Sequence, residues 1–115
     1  MEKLKNDKYR KARGGKAFMI EVSCATCQEH LLRYQKDGDG PLKRCYLNRI
    51  TAPAALATLQ HHPAMRDPER VPPLSCPKCH TVIGVAILHH DGRVAFRLRQ
   101  GFFAKKRLIH LGKKK

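Results

Sequence analysis

Hydrophobic positions along the chain fall into short runs separated by Gly, Pro and Asp. Residues 17–22 form a run of β-forming residues that leads directly into a cysteine pair. Residues 30–36 and 42–50 are two further runs, and they flank an Asp-Gly-Asp-Gly-Pro tract at 37–41. Because Asp-Gly steps favour a turn with positive φ, the pattern predicts a strand followed by a β-hairpin.

A second hairpin is predicted in the last third of the chain. Residues 81–88 and 93–99 are rich in Val, Ile, Leu and Phe, and an Asp-Gly turn separates them. Residues 102–111 predict one more strand. These runs have the length and spacing of strands in an antiparallel sheet.

The pattern changes between the two predicted hairpins. Thr51 is placed to cap a helix, Pro53 falls in its first turn, and an Ala-rich run follows with high helix propensity. We expect one short helix over 51–59. Four prolines within 61–74 indicate an irregular loop that leads to the second cysteine pair.

Length and charge limit the classes of protein. A chain of 115 residues suits one small domain with a modest core, and 24 Lys and Arg against nine Asp and Glu give a net charge of +15. Such an excess is typical of proteins that bind a polyanion. Residues 1–16 hold seven of these cations and 105–115 hold six. The predicted organisation is a basic flexible tail at 1–16, a β domain at 17–111 and a basic tail at 112–115.

Four of the five cysteines form two CxxC pairs, 48 residues apart. An odd number of cysteines disfavours a disulfide framework, whereas paired CxxC units in a reducing compartment are typical metal ligands. Four thiolates suit Zn²⁺, so we expect one structural zinc ion that joins the first third of the chain to the last. The predicted ligands are Cys24, Cys27, Cys76 and Cys79.

Other uses of these residues remain open. An iron–sulfur cluster also takes four cysteines, and a redox CxxC would need a βαβ context that the pattern lacks. His80 directly follows the second pair and could replace a cysteine as ligand. Cys45 reads as a small buried apolar residue, or as a reactive thiol whose pKa Lys43 and Arg44 would lower.

Cationic residues concentrate on the strand that follows the second turn. Arg93, Arg97 and Arg99 fall on one face of residues 93–99, and the apolar residues between them fall on the other. Such a row would suit a phosphate backbone, although an ordinary solvated sheet face has the same pattern. The further candidate nucleic-acid contacts are Lys105, Lys106, Arg107, Lys11 and Arg13. Base stacking would fall to Tyr34, Tyr46, Phe102 or Phe103.

The two CxxC pairs about 50 residues apart, with a hairpin around each, resemble the zinc-bound β domains called β-tents, which include the Yippee and methionine sulfoxide reductase B families. The resemblance covers residues 17–111 and implies a β-tent or elaborated zinc-ribbon architecture. It does not imply reductase activity, because that family places a catalytic cysteine after the second pair and this sequence has none there. The absence of Trp likewise departs from the cereblon-type ligand pocket. The similar RNA-end sensor domain of RIG-I-like receptors binds RNA through a basic face, in agreement with the charge found here.

These observations predict a zinc protein that binds nucleic acid, with RNA favoured over DNA, as a component of a ribonucleoprotein or similar complex. The alternatives are a small redox or other enzyme that uses Cys45, and a protein-interaction subunit of a large assembly. No paired nucleophile and base supports an enzyme. No run approaches the roughly 18 to 20 apolar residues of a membrane span, so we expect a cytoplasmic protein, or a nuclear one in a eukaryote.

Overall fold

Eight strands are the main secondary structure of the protein in the computed structural model, which describes residues 4–108. The strands are β1 (Ala17–Cys24), β2 (His30–Asp37), β3 (Arg44–Tyr46), β4 (Ile50–Ala52), β5 (Leu74–Ser75), β6 (Val82–Leu88), β7 (Val94–Leu98) and β8 (Phe103–Arg107). The helices are α1 (Lys8–Ala12) and α2 (Ala54–Ala57), with 3-10 turns at Leu47–Arg49, Thr58–His61, Pro63–Arg66 and Pro68–Arg70. The predicted mainly β fold class is confirmed.

The strands form two antiparallel sheets of four strands each. The first sheet has the order β4-β2-β1-β8, and the second has the order β3-β7-β6-β5. Strands from both halves of the chain therefore enter both sheets.

Side chains from the two sheets meet in one hydrophobic core. Ile20 and Val22 are alternate residues of β1 that are buried together with Leu32 of β2, and Ile83 and Phe96 represent the second sheet in the same cluster. Each of these five side chains is at most 2% exposed. Burying an aliphatic or aromatic side chain contributes about 1.5–3 kcal/mol, so this cluster is the main source of stability besides a metal.

The first predicted hairpin is wrong. Residues 30–36 do form β2, but its neighbours are β1 and β4, whereas β3 crosses to the second sheet and pairs with β7. Only the end of the predicted second arm returns to β2, where Ile50 lies opposite Tyr34.

The physical reason lies in the segment after the Asp-Gly tract. Leu42, Cys45, Tyr46 and Leu47 are all buried, so the segment passes between the sheets and lacks the alternation that one sheet face would require. A one-turn 3-10 helix then places Arg49 beneath the end of β2, where its Nε donates to Asp37 at 2.8 Å.

The second predicted hairpin is confirmed as β6 and β7, and Gly92 in its turn has φ 91°. The predicted last strand is confirmed as β8, which pairs with β1 in the first sheet. Residues 109–111 of that prediction lie outside the described residues. The basic strand β8 is therefore in a different sheet from the arginines of β7.

The predicted helix exists, but its start is displaced. Thr51 lies in β4 and its hydroxyl donates to the Arg33 carbonyl at 3.4 Å, so it does not cap a helix. Helix α2 begins after Pro53, which provides no side-chain cap. The following loop contains a series of 3-10 turns, one of which begins where Asp67 accepts a hydrogen bond from the Glu69 N–H at 3.0 Å.

Residues 4–16, predicted as part of a flexible tail, lie against the β domain in this structure. The Lys5 N–H donates to the Gln35 side chain of β2, and the Gln35 amide donates back to the Lys5 carbonyl at 2.9 Å. Asp7 caps α1 and pairs with the buried Arg49. These contacts hold the segment around α1 against the β domain, although α1 has no buried residue. Residues 112–115 lie outside the described part of the chain.

Candidate metal centre and basic surface

Both cysteine pairs lie in the turns of β-hairpins. Cys24 ends β1 and Cys27 lies in the turn that leads into β2, within the first sheet. Cys76 directly follows β5 and Cys79 lies in the turn that leads into β6, within the second sheet. Because two residues separate each pair, each turn directs two sulfurs to the same side.

The two turns have the same backbone geometry. In the first, the Cys24 N–H donates to the Glu29 carbonyl, and the Gln28 N–H donates back to the Cys24 carbonyl, each at 2.8 Å. Gln28 has φ 65°. These contacts close the turn around the first pair of sulfurs.

In the second turn, the Cys76 N–H donates to the Thr81 carbonyl, and the His80 N–H donates to the Cys76 carbonyl, each at 2.9 Å. His80 also has φ 65°, and it and Gln28 are the two non-glycine residues with positive φ within residues 4–108. The two cysteine-bearing turns, here called knuckles, therefore have equivalent structures. Their sequences differ, because Ala-Thr separates the cysteines in the first and Pro-Lys separates them in the second.

The four sulfurs from these turns converge. The Sγ atoms of Cys24 and Cys79 are 3.6 Å apart, those of Cys27 and Cys76 are 3.5 Å apart, and all four lie within 4.8 Å of one another. A tetrahedral zinc–thiolate site with Zn–S bonds of about 2.3 Å has sulfurs about 3.8 Å apart, whereas a disulfide needs about 2.0 Å. The donor set fits one four-coordinate metal ion, and the spacing leaves little room for a multi-iron cluster.

The environment of the sulfurs also calls for a cation. Hydrogen bonds from the side chain and backbone of Thr81 lower the pKa of the Cys79 thiol to about 6. The backbone N–H of Glu29 favours the Cys27 thiolate, but burial and the neighbouring cysteine sulfurs outweigh it and raise the pKa of Cys27 to about 12. Because adjacent thiolates repel one another, a divalent ion is what would allow all four to ionise.

Neither of the two other candidate residues, His80 and Cys45, belongs to this cluster of ligands. His80 is exposed and does not belong to the four-residue ligand group. Cys45 is 0% exposed, and burial raises the pKa of its thiol well above the ordinary value. Cys45 therefore packs as a small apolar residue of β3 and presents no thiolate to a substrate.

The predicted row of arginines is divided in the structure. Arg93 donates from Nε and Nη2 to the Asp91 carboxylate, at 3.0 and 2.9 Å. Its guanidinium lies between the rings of Tyr9 and Tyr46, 3.7 Å from each centroid. The prediction that Arg93 belongs to an open row is corrected, because its charge and both of its faces are already occupied.

Arg97 and Arg99 are exposed. Arg97 lies directly opposite Arg44 of the neighbouring strand β3, so two like charges share one face of the second sheet. Arg99 lies over the Phe102 ring, with 3.8 Å between Cζ and the centroid, and donates to the Val82 carbonyl at 3.0 Å. A like-charged cross-strand pair is unfavourable unless an anion lies near it.

The cations of β8 form a second group, beside β1. Lys105 and Arg107 lie opposite Val22 and Ile20, and Arg107 lies 4.2 Å from the Phe18 ring. Lys36 of β2 lies opposite Phe18. By strand alternation, Lys36, Lys105 and Arg107 share one face of the first sheet. Lys106 points to the other face, opposite Glu21.

The remaining candidates lie on or next to α1, and among the aromatic residues. Lys11 and Arg13 are exposed, at the end of α1. Tyr34 and Tyr46 are at most 7% exposed and are not available for base stacking, whereas Phe102 and Phe103 are half-buried. Sequence reasoning missed Lys36, Arg44 and Arg49, whose positions depend on strand pairing that no local pattern reveals.

The geometry defines a small two-sheet β protein with a four-cysteine metal site. Comparison with protein-family models, with curated proteins and with solved structures found no significant match. The resemblance to β-tents is therefore supported only as a cysteine-rich metal-binding β domain, and no family is assigned. Within residues 4–108, no helix is both long and apolar enough to cross a membrane.

Proposed function

We propose that this protein binds nucleic acid through a basic surface, and that a Zn²⁺ ion in the four-cysteine site holds the two sheets that carry this surface. RNA is the favoured nucleic acid, and a ribonucleoprotein is the favoured setting. The proposal rests on one observation above all: the half-buried Arg44 and the exposed Arg97 lie opposite each other, and no carboxylate of residues 4–108 lies within ion-pair distance of either.

Three of the aspartates are paired with arginines outside this surface. Asp7 and Asp37 pair with Arg49, and Asp91 pairs with Arg93. Within residues 4–108, no carboxylate lies within ion-pair distance of the exposed cations on β8 and on or directly after β7, namely Arg97, Arg99, Lys105, Lys106 and Arg107. Cations left in this state attract the phosphates of a polyanion and release its counterions.

The metal ion supports this surface indirectly. Zn²⁺ suits four thiolates in tetrahedral geometry and needs no redox chemistry, which makes it the ion that the site fits best. It would join the β1–β2 turn to the β5–β6 turn. Since β8 pairs with β1 and β7 pairs with β6, the ion would fix the position of one basic strand relative to the other.

Salt-dependent binding to oligonucleotides tests the proposal. We expect fluorescence anisotropy to show binding to a single-stranded RNA, weaker binding to DNA of the same sequence, and an affinity that falls steeply with salt. The double substitution Arg97→Gln and Arg99→Gln should lower the log–log salt slope by about 1.4, since each phosphate contact contributes about 0.7 on a single strand.

The matched control is Arg70→Gln, which removes one positive charge from the loop of 3-10 turns, where Arg70 already lies 3.8 Å from Asp67. This variant should bind like the wild type. A salt slope near zero for both RNA and DNA would refute the proposal. Equal loss of binding in the control and in the β7 variants would remove β7 from the interface.

The proposed role is binding and not catalysis. The burial of the Cys45 thiol and its raised pKa disfavour the alternative of an enzyme that uses this residue as its nucleophile. Co-purification of RNA or of ribonucleoprotein subunits with the tagged protein would distinguish a free RNA-binding protein from a component of a larger complex.

A further inference from the structure

A basic cavity of about 240 Å³ lies where the end of β2 meets β3 and the end of α1. Its walls come from both sheets and from the segment that joins them. Its lining includes Arg13, Tyr34, Lys36, Lys43, Arg44 and Tyr46. This cavity is separate from the four-cysteine site, and its lining residue Arg44 lies opposite Arg97 of the surface proposed for nucleic acid.

The cavity is lined by more cations than its carboxylate can neutralise. Five of its lining residues are Lys or Arg, and Asp37 is the one acidic residue among those that line it. Asp37 already accepts from Arg49 at 2.8 Å, and Arg93 is already paired with Asp91. The four other cations, Arg13, Lys36, Lys43 and Arg44, have no carboxylate of residues 4–108 within ion-pair distance.

Lys36 is the strongest sign of a missing anion. The residue is only 7% exposed, and its ammonium donates to the Gly38 carbonyl at 2.8 Å. Burial lowers its pKa, and the positive charges of Lys105 and Arg13 lower it further. Asp39 and Asp37 offset these effects only in part. A largely buried ammonium with cations as neighbours is costly unless an anion stabilises its charge.

Arg44 adds a directed donor beside it. Its Nε donates to the Tyr46 hydroxyl at 3.2 Å, which leaves the other N–H groups of the guanidinium free of carboxylate partners among residues 4–108. The buried Tyr34 hydroxyl accepts from the Tyr46 N–H at 2.9 Å, so its own proton is left to donate. The cavity therefore offers ammonium, guanidinium and hydroxyl donors together.

We propose that this cavity binds a phosphate monoester group. Such a group carries a charge of about −1.5 to −2 near neutral pH and three acceptor oxygens, which matches several unpaired cations around one small space. An internal phosphodiester carries a single charge and is flanked by sugars on both sides. The cavity is also smaller than the roughly 300–1,000 Å³ of typical sites for drug-sized ligands. The group would come from a free phosphorylated metabolite or from the terminal phosphate of a nucleic acid.

Titration with small anions at constant ionic strength tests this site directly. Isothermal calorimetry should detect adenosine monophosphate and inorganic phosphate binding to the wild type, and adenosine without phosphate should not bind. Lys36→Met removes the buried charge but keeps most of the side-chain volume, and Arg44→Gln removes the guanidinium. Each should weaken phosphate binding by about tenfold or more, whereas Arg70→Gln should leave it unchanged.

Lys43 is exposed, so Lys43→Gln should have little effect on packing, and it should also weaken phosphate binding. This variant keeps the test valid if Lys36→Met does not fold. Phosphate that binds no more tightly than chloride would overturn the proposal. So would an affinity that is the same in the wild type, Arg44→Gln and Lys43→Gln.

Terminally phosphorylated and terminally hydroxylated RNA of one sequence distinguish the two sources. Tighter binding of the phosphorylated RNA, with the advantage lost in Arg44→Gln, assigns the cavity to nucleic-acid ends. Equal binding of both RNAs, with adenosine monophosphate still bound, assigns it to a free metabolite. The inference can fail independently of the proposed function, because the β7 variants should lose RNA affinity but keep phosphate binding.

Discussion

Arg49 and Asp7 are 42 positions apart in the sequence, and their side chains meet in a two-pronged ion pair at the end of β2. Arg49 is fully buried, and its Nε donates to Asp37 on the other side. The guanidinium thereby connects the N-terminal segment, the 3-10 turn after β3 and the last residue of β2. One side chain fixes the path of the chain at the point where the predicted hairpin fails.

We expect Arg49→Met to destabilise the protein by about 3–5 kcal/mol. The substitution keeps an apolar stem but leaves the buried Asp37 without its cation, and an uncompensated buried charge has a cost of this size. Urea unfolding followed by circular dichroism measures the change. The control Arg70→Met breaks an exposed pair and should cost less than about 1 kcal/mol. Similar losses in both variants would contradict the structural role of Arg49.

Asp7 should make the stability of the protein depend on pH in acid. The hydrogen bonds from Arg49 hold the pKa of Asp7 well below its usual range. A depressed carboxyl pKa contributes stability that is fully present above the ordinary value near 4 and is lost as pH falls towards the lowered pKa. Thermal unfolding of wild type and Asp7→Asn from pH 2 to 7 should give curves that are furthest apart above pH 4 and that converge in acid. A constant difference over the whole range would exclude this linkage.

Removal of the metal should unfold the domain. Structural zinc contributes about 10–16 kcal/mol in small zinc-binding peptides, which equals or exceeds the 5–15 kcal/mol stability of a whole domain. We expect elemental analysis to find one zinc ion per chain, and Cys76→Ser or a strong chelator to abolish the cooperative thermal transition. Cys45→Ala should keep both the ion and the transition, at a cost of about 1–2 kcal/mol. A folded Cys76→Ser variant without metal would refute a structural metal.

A side chain at Gly84 of β6 should destabilise the protein. An added Cβ would lie 2.8 Å from the Arg97 carbonyl oxygen on β7, which is backbone and cannot move aside. We expect Gly84→Ala to destabilise the protein by about 1–3 kcal/mol. The matched change Gly40→Ala meets no atom within 4 Å and should be nearly neutral in the same unfolding measurement. A neutral Gly84→Ala would show that the two strands separate easily.

Substitution by glycine should cost less stability at Gln28 than at the neighbouring Glu29. Its φ of 65° lies in the left-handed region, which costs a non-glycine residue about 1–2 kcal/mol, while glycine adds unfolded-state entropy of about 0.5–1 kcal/mol. Gln28→Gly should therefore be neutral or slightly stabilising, and Glu29→Gly should be destabilising. Thermal unfolding of the metal-bound forms decides between them, and a destabilised Gln28→Gly would show that the Gln28 side chain matters more than its backbone.

Features that depend on neighbouring residues could be predicted from the sequence. Each cysteine knuckle is closed by hydrogen bonds within six residues, and the turn at Gly92 joins strands that are adjacent in both sequence and space. The ligand set, the second hairpin and the mainly β class follow from such local patterns. The first Asp-Gly tract carried the same local signal, yet the packing of Arg49 against Asp37 overrode it.

Long-range contacts explain what could not be predicted. The sequence pattern predicts Arg93 as a member of an open arginine row, but Tyr9 of α1, in a segment predicted as a tail, covers one face of its guanidinium. Lys36 gains its importance from burial and from Lys105 on β8, which is distant in sequence. Neither relationship has a periodicity or spacing that a single sequence displays.

The distribution of strands between the sheets has a consequence for dividing the chain. A cut between Arg66 and Asp67, in the exposed loop of 3-10 turns, would give two fragments, each with one knuckle and strands destined for both sheets. Neither fragment could complete a sheet or a tetrahedral ligand set alone. Reassembly of the two fragments would therefore require the metal ion, and metal binding would measure how much of the complete domain had formed.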